Sequence, residues 1–323
     1  MIFNVLIVGL GKIGMRYDLD LDHDEYVYSH AAAFSKHKGF NISGGVDVDT
    51  KLGSTFEERY NSKFYGNIKD ALQKHHPDIV VIATSTEFHN QNLKDIVKYS
   101  KPKAVLCEKP LSYSVKEAYS MQKLCKENGI KLFVNYMRSS LPDSIIIKNK
   151  ISNGEYAGNL KGLVWYSKGL IHNGSHFVNL LENWLGSIEK IHCLNKGHSF
   201  ESQDVDPDFY LSFKKGDVIF LSAKEEFFSH YGIELVFENG RLRYDQGGKH
   251  IYWTPVEQDE NLPAYKFLSS KNKNYSSDSM RKYQLHVVNE LWNMLNQKEY
   301  ELCSGTMAIA TLESINEIVE ECK

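Results

Sequence analysis

A glycine-rich segment near the start of the chain has the spacing of a phosphate-binding turn. Gly9, Gly11 and Gly14 directly follow the apolar run at residues 4–8. In such a turn the first glycine permits a tight bend, the second lets the backbone approach a pyrophosphate, and the third lets strand and helix pack closely. Because the segment follows a predicted strand and is expected to open a helix, whose N-terminus favours anions, it predicts a dinucleotide-binding site.

A carboxylate follows the second predicted strand, at residues 40–46, where Asp47 ends the run. A carboxylate at this place accepts a hydrogen bond from the adenosine ribose and repels a 2′-phosphate, so it favours NAD over NADP. Asp47 lies further beyond Gly14 than the usual distance of about 20 residues. Residues 16–28 are acidic and aromatic without helical periodicity, and we interpret them as an insertion that forms a surface loop or a flap near the cofactor.

Polar residues also follow the later predicted strands at residues 78–83 and 104–107. Ligands of parallel sheets bind beyond the carboxyl ends of the strands, so we expect these residues to face one crevice together with the glycine-rich turn. The predicted cofactor contacts are Gly9, Gly11, Lys12, Ile13, Gly14, Asp47, Thr84 and Glu108.

The elements that position these residues alternate between strand and helix. Strands are predicted at 4–8, 40–46, 63–65, 78–83, 104–107 and 131–134, with helices at 52–60, 67–75, 89–99 and 115–128. Continuous apolar strands separated by amphipathic helices are typical of a parallel sheet covered on both faces. We therefore predict an α/β domain with a doubly wound, Rossmann-type sheet over residues 1–137.

The remainder of the chain has a different pattern. After a predicted helix at 143–152, alternating segments occur at 160–166, 209–213, 218–223, 233–237 and 241–244, and the tail from 280 is helical. Glycine-containing turns between some of these segments are typical of hairpins. We predict a second, α+β domain over residues 138–323, with a large, mostly antiparallel, open-faced sheet that binds substrate and supports oligomerisation.

Composition excludes several classes of function. The chain has 323 residues, 42% of them hydrophobic and 24% charged, with a net charge of −3, so it offers no basic surface for nucleic acid. No apolar stretch reaches the roughly 18 residues of a membrane span, and no signal peptide is apparent. The five cysteines lack paired spacing, which argues against a disulfide framework and for a reducing, cytoplasmic compartment. We predict no metal site.

Several motifs together resemble the glucose–fructose oxidoreductase/inositol dehydrogenase/MocA (Gfo/Idh/MocA) family over nearly the full length. They are the glycine-rich turn, Ser29-His30-Ala31, Val46-Asp47, Ile82-Ala83-Thr84, Glu108-Lys109-Pro110-Leu111, Asn173-Gly174-Ser175-His176, Gly232-Ile233-Glu234 and Gly240-Arg241-Leu242. The resemblance implies that Lys109 lies beside the nicotinamide and the substrate hydroxyl, before a cis proline, and that His176 accepts or donates the proton. It also implies a homodimer or homotetramer formed through the open sheet face.

General chemistry supports these two roles. Oxidation of a carbinol requires removal of the hydroxyl proton, and histidine suits that task because its ordinary pKa is about 6.5. Lys109 could exchange a proton or remain charged and stabilise a developing alkoxide. His172 stands where the family commonly has an aspartate. We expect either that His172 replaces the aspartate as a hydrogen-bonding partner or that the proton moves chiefly through Lys109.

The substrate is predicted less specifically than the cofactor. Tyr136, Arg138, Tyr166 and Lys168 would suit a polyhydroxylated or anionic sugar, with packing or solvation as the alternative for each. We predict an NAD-dependent oxidoreductase that interconverts a secondary alcohol and a ketone on a sugar, cyclic polyol or nucleotide-linked sugar. The alternatives are an NADP-linked ketoreductase, a non-catalytic NAD-binding regulator, and a hydrolase or epimerase that uses tightly bound NAD transiently.

Overall fold

The computed structural model describes residues 2–200, 204–275 and 279–323. The chain divides into two compact units. The first unit consists of Met1–Leu141 and Arg281–Ala310, and the second of Pro142–Met280 and Thr311–Lys323. These units differ from the predicted division into residues 1–137 and 138–323, because part of the helical tail packs with the first unit.

The first unit contains a parallel six-stranded sheet with strand order β3-β2-β1-β4-β5-β6. Its strands are β1 (Phe3–Val8), β2 (Phe40–Val46), β3 (Phe64–Tyr65), β4 (Ile79–Ile82), β5 (Ala104–Cys107) and β6 (Lys131–Val134). The order reverses between β1 and β4, which is the position where such sheets open a ligand-binding crevice. The predicted Rossmann-type sheet is confirmed, strand by strand.

The α-helices of the described chain are divided between the two units. They are α1 (His30–Lys36), α2 (Thr50–Tyr60), α3 (Ile68–Lys74), α4 (His89–Tyr99), α5 (Val115–Glu127), α6 (Pro142–Ser152), α7 (Ser175–Leu185), α8 (Tyr283–Leu295) and α9 (Gly305–Glu321). The helix α5 ends at Glu127, one residue before the predicted end, and the predicted terminating glycine, Gly129, has φ 69° and donates its N–H to the carbonyl of Lys126. None of the described helices is long and apolar enough to cross a membrane.

The insertion at residues 16–28 changes how the glycine-rich turn continues. The turn was expected to open a helix, but it makes a single irregular turn, followed by a 3-10 turn at Arg16–Asp18, and α1 begins only at His30. Asp18 is fully buried, and its Oδ2 accepts hydrogen bonds from the N–H groups of Tyr28 (2.6 Å) and Ser29 (2.8 Å). The buried carboxylate therefore fixes the end of the insertion at the start of α1.

The second unit is built on a large sheet with strand order β16-β15-β14-β13-β7-β12-β11-β8. The strands are β7 (Leu160–Tyr166), β8 (Ile188–Asn195), β9 (Ser199–Phe200), β10 (Asp204–Val205), β11 (Asp208–Phe213), β12 (Gly216–Ser222), β13 (Gly232–Phe237), β14 (Gly240–Asp245), β15 (His250–Gln258), β16 (Lys266–Leu268) and β17 (Lys273–Tyr275). Neighbouring strands of this sheet are antiparallel except for β7 and β12, which are parallel. The strands β9 and β10 form a separate antiparallel ribbon. The predicted mostly antiparallel sheet is confirmed.

One face of this sheet packs into a core with residues of α6, α7 and α9, and the other face is open in part. Val164, Leu235 and Leu242 are fully buried on the packed face. On the other face, Ile219 is 39% exposed and Val236 is 44% exposed. The alternation of buried and exposed residues along these strands is typical of an antiparallel sheet with one covered face.

A disulfide joins Cys193 in β8 to Cys322 near the end of the second unit, with 5.2 Å between the Cα atoms. The cysteine spacing argued against disulfides, and for this pair the expectation was wrong, because the fold brings together cysteines that are 129 residues apart. The other cysteines, Cys107, Cys125 and Cys303, are buried and free.

Reduction of this disulfide is expected to lower the free energy of unfolding by about 2–5 kcal/mol, because the cross-link restricts the unfolded chain. Denaturant titrations with and without dithiothreitol measure the difference. In the Cys193→Ser/Cys322→Ser double variant the reductant should have no effect. A wild-type protein equally stable under both conditions would contradict the prediction.

Candidate functional site

The glycine-rich turn leaves open space where a phosphate would lie. Gly9 has φ 97°, and a Cβ atom there would stand 2.6 Å from the carbonyl of Ala83. A Cβ on Gly14 would stand 2.0 Å from the carbonyl oxygen of Gly9. On Gly11, in contrast, a Cβ would meet no atom within 4 Å. The first and third glycines are thus required for the bend and the close packing, and the second borders a cradle.

Asp47 joins the end of β2 to this turn. Its Oδ2 accepts a hydrogen bond from the N–H of Leu10 (2.7 Å), and its Oδ1 accepts one from the N–H of Asp49 (3.0 Å). Each carboxylate oxygen retains a lone pair for a ribose hydroxyl. Within the described parts of the chain, no residue accepts a hydrogen bond from the N–H groups of Lys12 or Ile13. Open space, free donors and a ribose acceptor together fit a dinucleotide.

Two exposed apolar residues beyond neighbouring strands were missed by sequence reasoning. Val48 follows Asp47 and is 91% exposed, and Phe88 lies in the turn after β4 and is 55% exposed. The strands β2 and β4 flank β1, so exposed apolar surface at their ends suits the adenine of a dinucleotide. Thr84 lies at the end of β4, where its Oγ1 accepts a hydrogen bond from the Nδ2 of Asn92 (3.0 Å).

Glu108, directly after β5, is held by a closed ring of hydrogen bonds. Its Oε1 lies 2.8 Å from the Nε2 of His30 and accepts a bond from the Nδ2 of Asn135 (2.7 Å). The same Nδ2 donates to the Oε1 of Gln284 (3.0 Å), and the Nε2 of Gln284 lies 2.9 Å from the Nδ1 of His30. These directions are consistent if His30 carries its proton on Nε2 and accepts at Nδ1.

The ring stabilises the ionised form of Glu108. Burial alone would raise the pKa of the Glu108 carboxyl. The hydrogen bonds from His30 and Asn135, together with the positive charge of Lys109, outweigh burial and lower that pKa below its ordinary value of 4.5. No described residue donates a hydrogen bond to Oε2, and the side chain is 13% exposed. An ionised acceptor is therefore available beyond the end of β5.

Lys109 follows Glu108 and is half-buried. The peptide bond between Lys109 and Pro110 is cis, as the family resemblance implied. The N–H of Asn135 donates to the carbonyl of Cys107 (2.8 Å), which ties this segment to the end of β6. The structure therefore places Lys109 in the first unit, at the same sheet edge as the glycine-rich turn.

The two histidines lie in the second unit, on a helical segment whose geometry changes between them. His172 is exposed within a π-helical stretch, Leu170–Gly174, and His176 is half-buried in the first turn of α7. Asp204 of β10 accepts hydrogen bonds from the N–H groups of Ile171 (2.9 Å) and His172 (2.8 Å). Burial raises the pKa of the Asp204 carboxyl. This capping carboxylate was not predicted, because it comes from a strand distant in sequence.

The predicted substrate contacts have other partners in the structure. Tyr166 is fully buried, and its hydroxyl donates to the carbonyl of Pro207 (2.5 Å). Tyr136 is only 4% exposed. The Nζ of Lys168 forms an ion pair with Glu225 (3.1 Å), and Arg138 is half-buried. All four residues stay predictions of substrate contacts, and the two tyrosine rings are buried in this structure.

The replacement Gln284→Met should lower the free energy of unfolding by about 1–3 kcal/mol, because it leaves ring members without hydrogen-bonding partners in a buried place. Denaturant titration measures the change. Gln91→Met is a matched control, since Gln91 is exposed on α4 and bonds only within that helix. Equal stability of the two variants would show that the ring contributes nothing to folding.

Glu108 also gives an expectation for acid stability. A carboxyl group whose pKa is lowered by folding stabilises the native state above its unfolded pKa, and this contribution is lost as the pH falls through the folded pKa. The stability difference between wild type and Glu108→Gln should therefore be full near neutral pH and shrink below the ordinary value of 4.5. Thermal denaturation across that pH range measures it, and a constant difference would contradict the assignment.

Comparison with known proteins gives a family match for the first part of the chain. Residues 3–136 match the model of an oxidoreductase family with an NAD-binding Rossmann fold. Over these residues the chain is similar to the Gfo/Idh/MocA family. The matched stretch contains β1–β6, so this part of the chain matches an NAD-binding Rossmann fold.

Relatives in this family differ in their reactions. Inositol 2-dehydrogenase of Rubrobacter xylanophilus is 24% identical over 52% of this chain and 47% of its own length. The chain thus spans about half the length of that relative. The 2,7-anhydro-N-acetylneuraminate hydratase of Escherichia coli is 22% identical over 73% of this chain and 76% of its own length. The WlbA dehydrogenase of Bordetella pertussis, solved with NADH and UDP-GlcNAcA, has a TM-score of 0.76 at 15% identity and covers 99% of this chain and 95% of its own. That likeness shows the shared fold of both units.

Proposed function

We propose that this protein is a Gfo/Idh/MocA-type, NAD-dependent oxidoreductase that interconverts a secondary alcohol and a ketone on a sugar, a cyclic polyol or a nucleotide-linked sugar. The observation that carries the proposal is the common sheet edge of the glycine cradle and the Glu108–Lys109 pair. A crevice that could hold a dinucleotide over β1 therefore also contains, beyond β5, groups able to contact a nicotinamide ribose and a reacting hydroxyl.

Each residue has a defined task in this proposal. The bound nicotinamide supplies hydride-transfer chemistry. The turn at Gly11 holds the pyrophosphate, and the Oε2 of Glu108 accepts a hydrogen bond from a hydroxyl of the nicotinamide ribose. Lys109 donates a hydrogen bond to the reacting oxygen and stabilises its developing negative charge. His176 removes the hydroxyl proton in oxidation and returns it in reduction. We propose that His172 assists as a hydrogen-bonding partner, on a segment held by Asp204.

Asp47 supports NAD as the preferred cofactor. Its carboxylate is fixed by two backbone hydrogen bonds, so it cannot turn away from a ligand at the end of β2 without leaving Leu10 or Asp49 unpaired. A 2′-phosphate placed there would meet a fixed negative charge. NADP is the alternative cofactor. A fluorescence titration that compares the Kd of NADH with the Kd of NADPH decides between the two.

The proposal is tested by following nicotinamide absorbance with a panel of sugars, inositols and nucleotide-linked sugars, in both directions. We expect turnover with at least one member and a lower Kd for NADH than for NADPH. NADH binding without turnover of any member would favour the non-catalytic regulator instead. Preference for NADPH would contradict the role of Asp47 and would favour the alternative of an NADP-linked ketoreductase.

A second candidate function is a redox-neutral reaction that uses bound NAD transiently, in a hydrolase, epimerase or related enzyme. The similarity to a hydratase over 73% of the chain favours it. Cofactor that stays bound through purification, and product formation without net change in nicotinamide absorbance, would support this candidate over the dehydrogenase.

We further propose that the protein is a homodimer or homotetramer assembled through the open face of the large sheet. The partly exposed apolar side chains of Ile219 and Val236 on that face support the proposal. Sedimentation of wild type and a Val236→Lys variant tests it, since a charge at the interface should dissociate the oligomer.

A further inference from the structure

The insertion at residues 16–28 carries an aromatic cluster that the cofactor site does not use. Its last tyrosine, Tyr28, stacks on Tyr283 of α8, with ring centroids 5.3 Å apart and planes inclined by 20°. Tyr26 lies against Tyr28 at 5.8 Å, and the guanidinium of Arg281 lies 5.8 Å from the Tyr26 ring. The insertion is thus folded onto the start of α8 by ring contacts.

Backbone hydrogen bonds also hold the insertion against the start of α8. The N–H of Val27 donates to the carbonyl of Arg281 (2.8 Å), and the N–H of Gln284 reaches the carbonyl of Val27 (3.4 Å). Gln284 is also a member of the hydrogen-bonded ring that holds Glu108. Tyr283 of the stack directly precedes Gln284, a member of the hydrogen-bonded ring around Glu108. The stack therefore lies beside the Glu108 end of the crevice and not at the adenosine end marked by Asp47.

The two stacked tyrosines have unused polar groups. In residues 2–200, 204–275 and 279–323, no side chain or backbone group forms a hydrogen bond with the hydroxyl of Tyr28 or Tyr283. Burial, followed by the negative charge of Glu108, raises the pKa of the Tyr283 phenol, and burial also raises that of Tyr28. Both phenols therefore stay protonated near neutral pH, each as a donor and an acceptor.

We propose that the Tyr28–Tyr283 stack is a subsite for the hydroxylated ring of the substrate, and that this ring is uncharged. The inference rests on the proposed function and narrows its substrate class. A pyranose or cyclitol offers hydroxyls to the two phenols and C–H groups to the faces of their rings, which carry partial negative charge. The carboxylates of Glu108 and Asp18 act on Tyr283, and the guanidinium of Arg281 acts on Tyr28. Since the two carboxylates outnumber the one guanidinium, a carboxylate or phosphate on that ring is repelled, so inositols and neutral sugars are favoured over sugar acids and sugar phosphates.

The test compares Tyr28→Phe and Tyr283→Phe with the control Tyr300→Phe, which lies in the first unit away from the stack and contacts Phe133. Phenylalanine keeps the stacking and removes only the hydroxyl. With myo-inositol, D-glucose, D-glucuronate and glucose 6-phosphate as probes, we expect the neutral pair to be preferred. KM should rise about 2- to 12-fold in each stack variant, the range of one neutral hydrogen bond, with kcat and the Kd of NADH unchanged.

A second measurement does not depend on turnover. The protein is labelled with 3-fluorotyrosine, and the resonances of Tyr28 and Tyr283 are assigned from the phenylalanine variants. Addition of myo-inositol or D-glucose to the NADH complex should shift these two ¹⁹F resonances and leave that of Tyr300 in place.

The outcomes separate the two proposals. Turnover of a neutral probe with unaltered KM in both variants and unmoved resonances would overturn the subsite and leave the proposed function standing. Preference for D-glucuronate or glucose 6-phosphate would overturn the assignment of an uncharged ring. No turnover and no shift with any of these four probes would overturn the subsite, and the proposed function would fall with it only if the nucleotide-linked sugars of the wider panel also gave no turnover.

Discussion

Replacement of Lys109 by methionine is expected to lower turnover by about 10²- to 10⁴-fold, the usual contribution of a positioned proton-transferring group. Methionine keeps the length of the side chain but can neither donate a hydrogen bond nor carry a charge. Lys109 follows the strand end where Glu108 is fixed, so the change leaves the glycine-rich turn intact. NADH binding, measured by fluorescence titration, should therefore remain close to that of wild type.

Two further variants make this result specific. Lys116→Met, on an exposed position of α5, should keep full turnover. Lys109→Arg retains a positive charge but cannot lose it near neutral pH. Partial activity in the arginine variant would assign Lys109 to charge stabilisation, and complete loss would assign it to proton transfer. Unchanged turnover in Lys109→Met would remove Lys109 from the mechanism.

The second large effect is expected from a matched pair of alanine substitutions in the glycine-rich turn. Gly11→Ala adds a methyl group in open space. We expect it to preserve stability but to weaken NADH binding about 10- to 150-fold, equivalent to loss of one hydrogen bond to a charged group. Gly14→Ala places its methyl 2.0 Å from the carbonyl oxygen of Gly9, so the backbone must move. A loss of about 1–3 kcal/mol in the free energy of unfolding should follow.

Fluorescence titration with NADH and denaturant titration, applied to both variants, distinguish the two roles. Gly129→Ala is not a suitable control, because Gly129 has a positive φ of 69°. Gly66 has open space and no positive φ, so Gly66→Ala should change neither quantity. If Gly11→Ala bound NADH as tightly as wild type, the cradle would not be the pyrophosphate site.

The sheet of the first unit could be predicted because each strand is a continuous apolar run with a polar residue at its carboxyl end. Burial on both faces leaves a signal in the local sequence, and the strands β1, β2 and β5 were located within one residue or better. In the second unit, β8 and β15 were missed. The first exposes much of its length, and the second carries Pro255, so neither has a regular alternation of apolar and polar residues.

The candidate site could be predicted only where it is local in sequence. The cradle, Asp47 and the Glu108-Lys109-Pro110 motif are short patterns. The ring around Glu108 joins His30 and Gln284, which are far apart along the chain, and no local pattern indicates that they meet. The same reason explains why the carboxylate of Asp204 beside His172, and the disulfide between Cys193 and Cys322, were not predicted.

The discontinuity of the first unit has a consequence for the order of events during synthesis. A ribosome that has released only Met1–Leu141 has supplied every strand of the parallel sheet but not Gln284, so the ring around Glu108 stays open. The first unit stays incomplete while Pro142–Met280 is translated and begins to fold, because Arg281–Ala310 is synthesised only afterwards. Completion of the hydrogen-bonded ring around Glu108 is therefore a late step, which can follow only after α8 has left the exit tunnel.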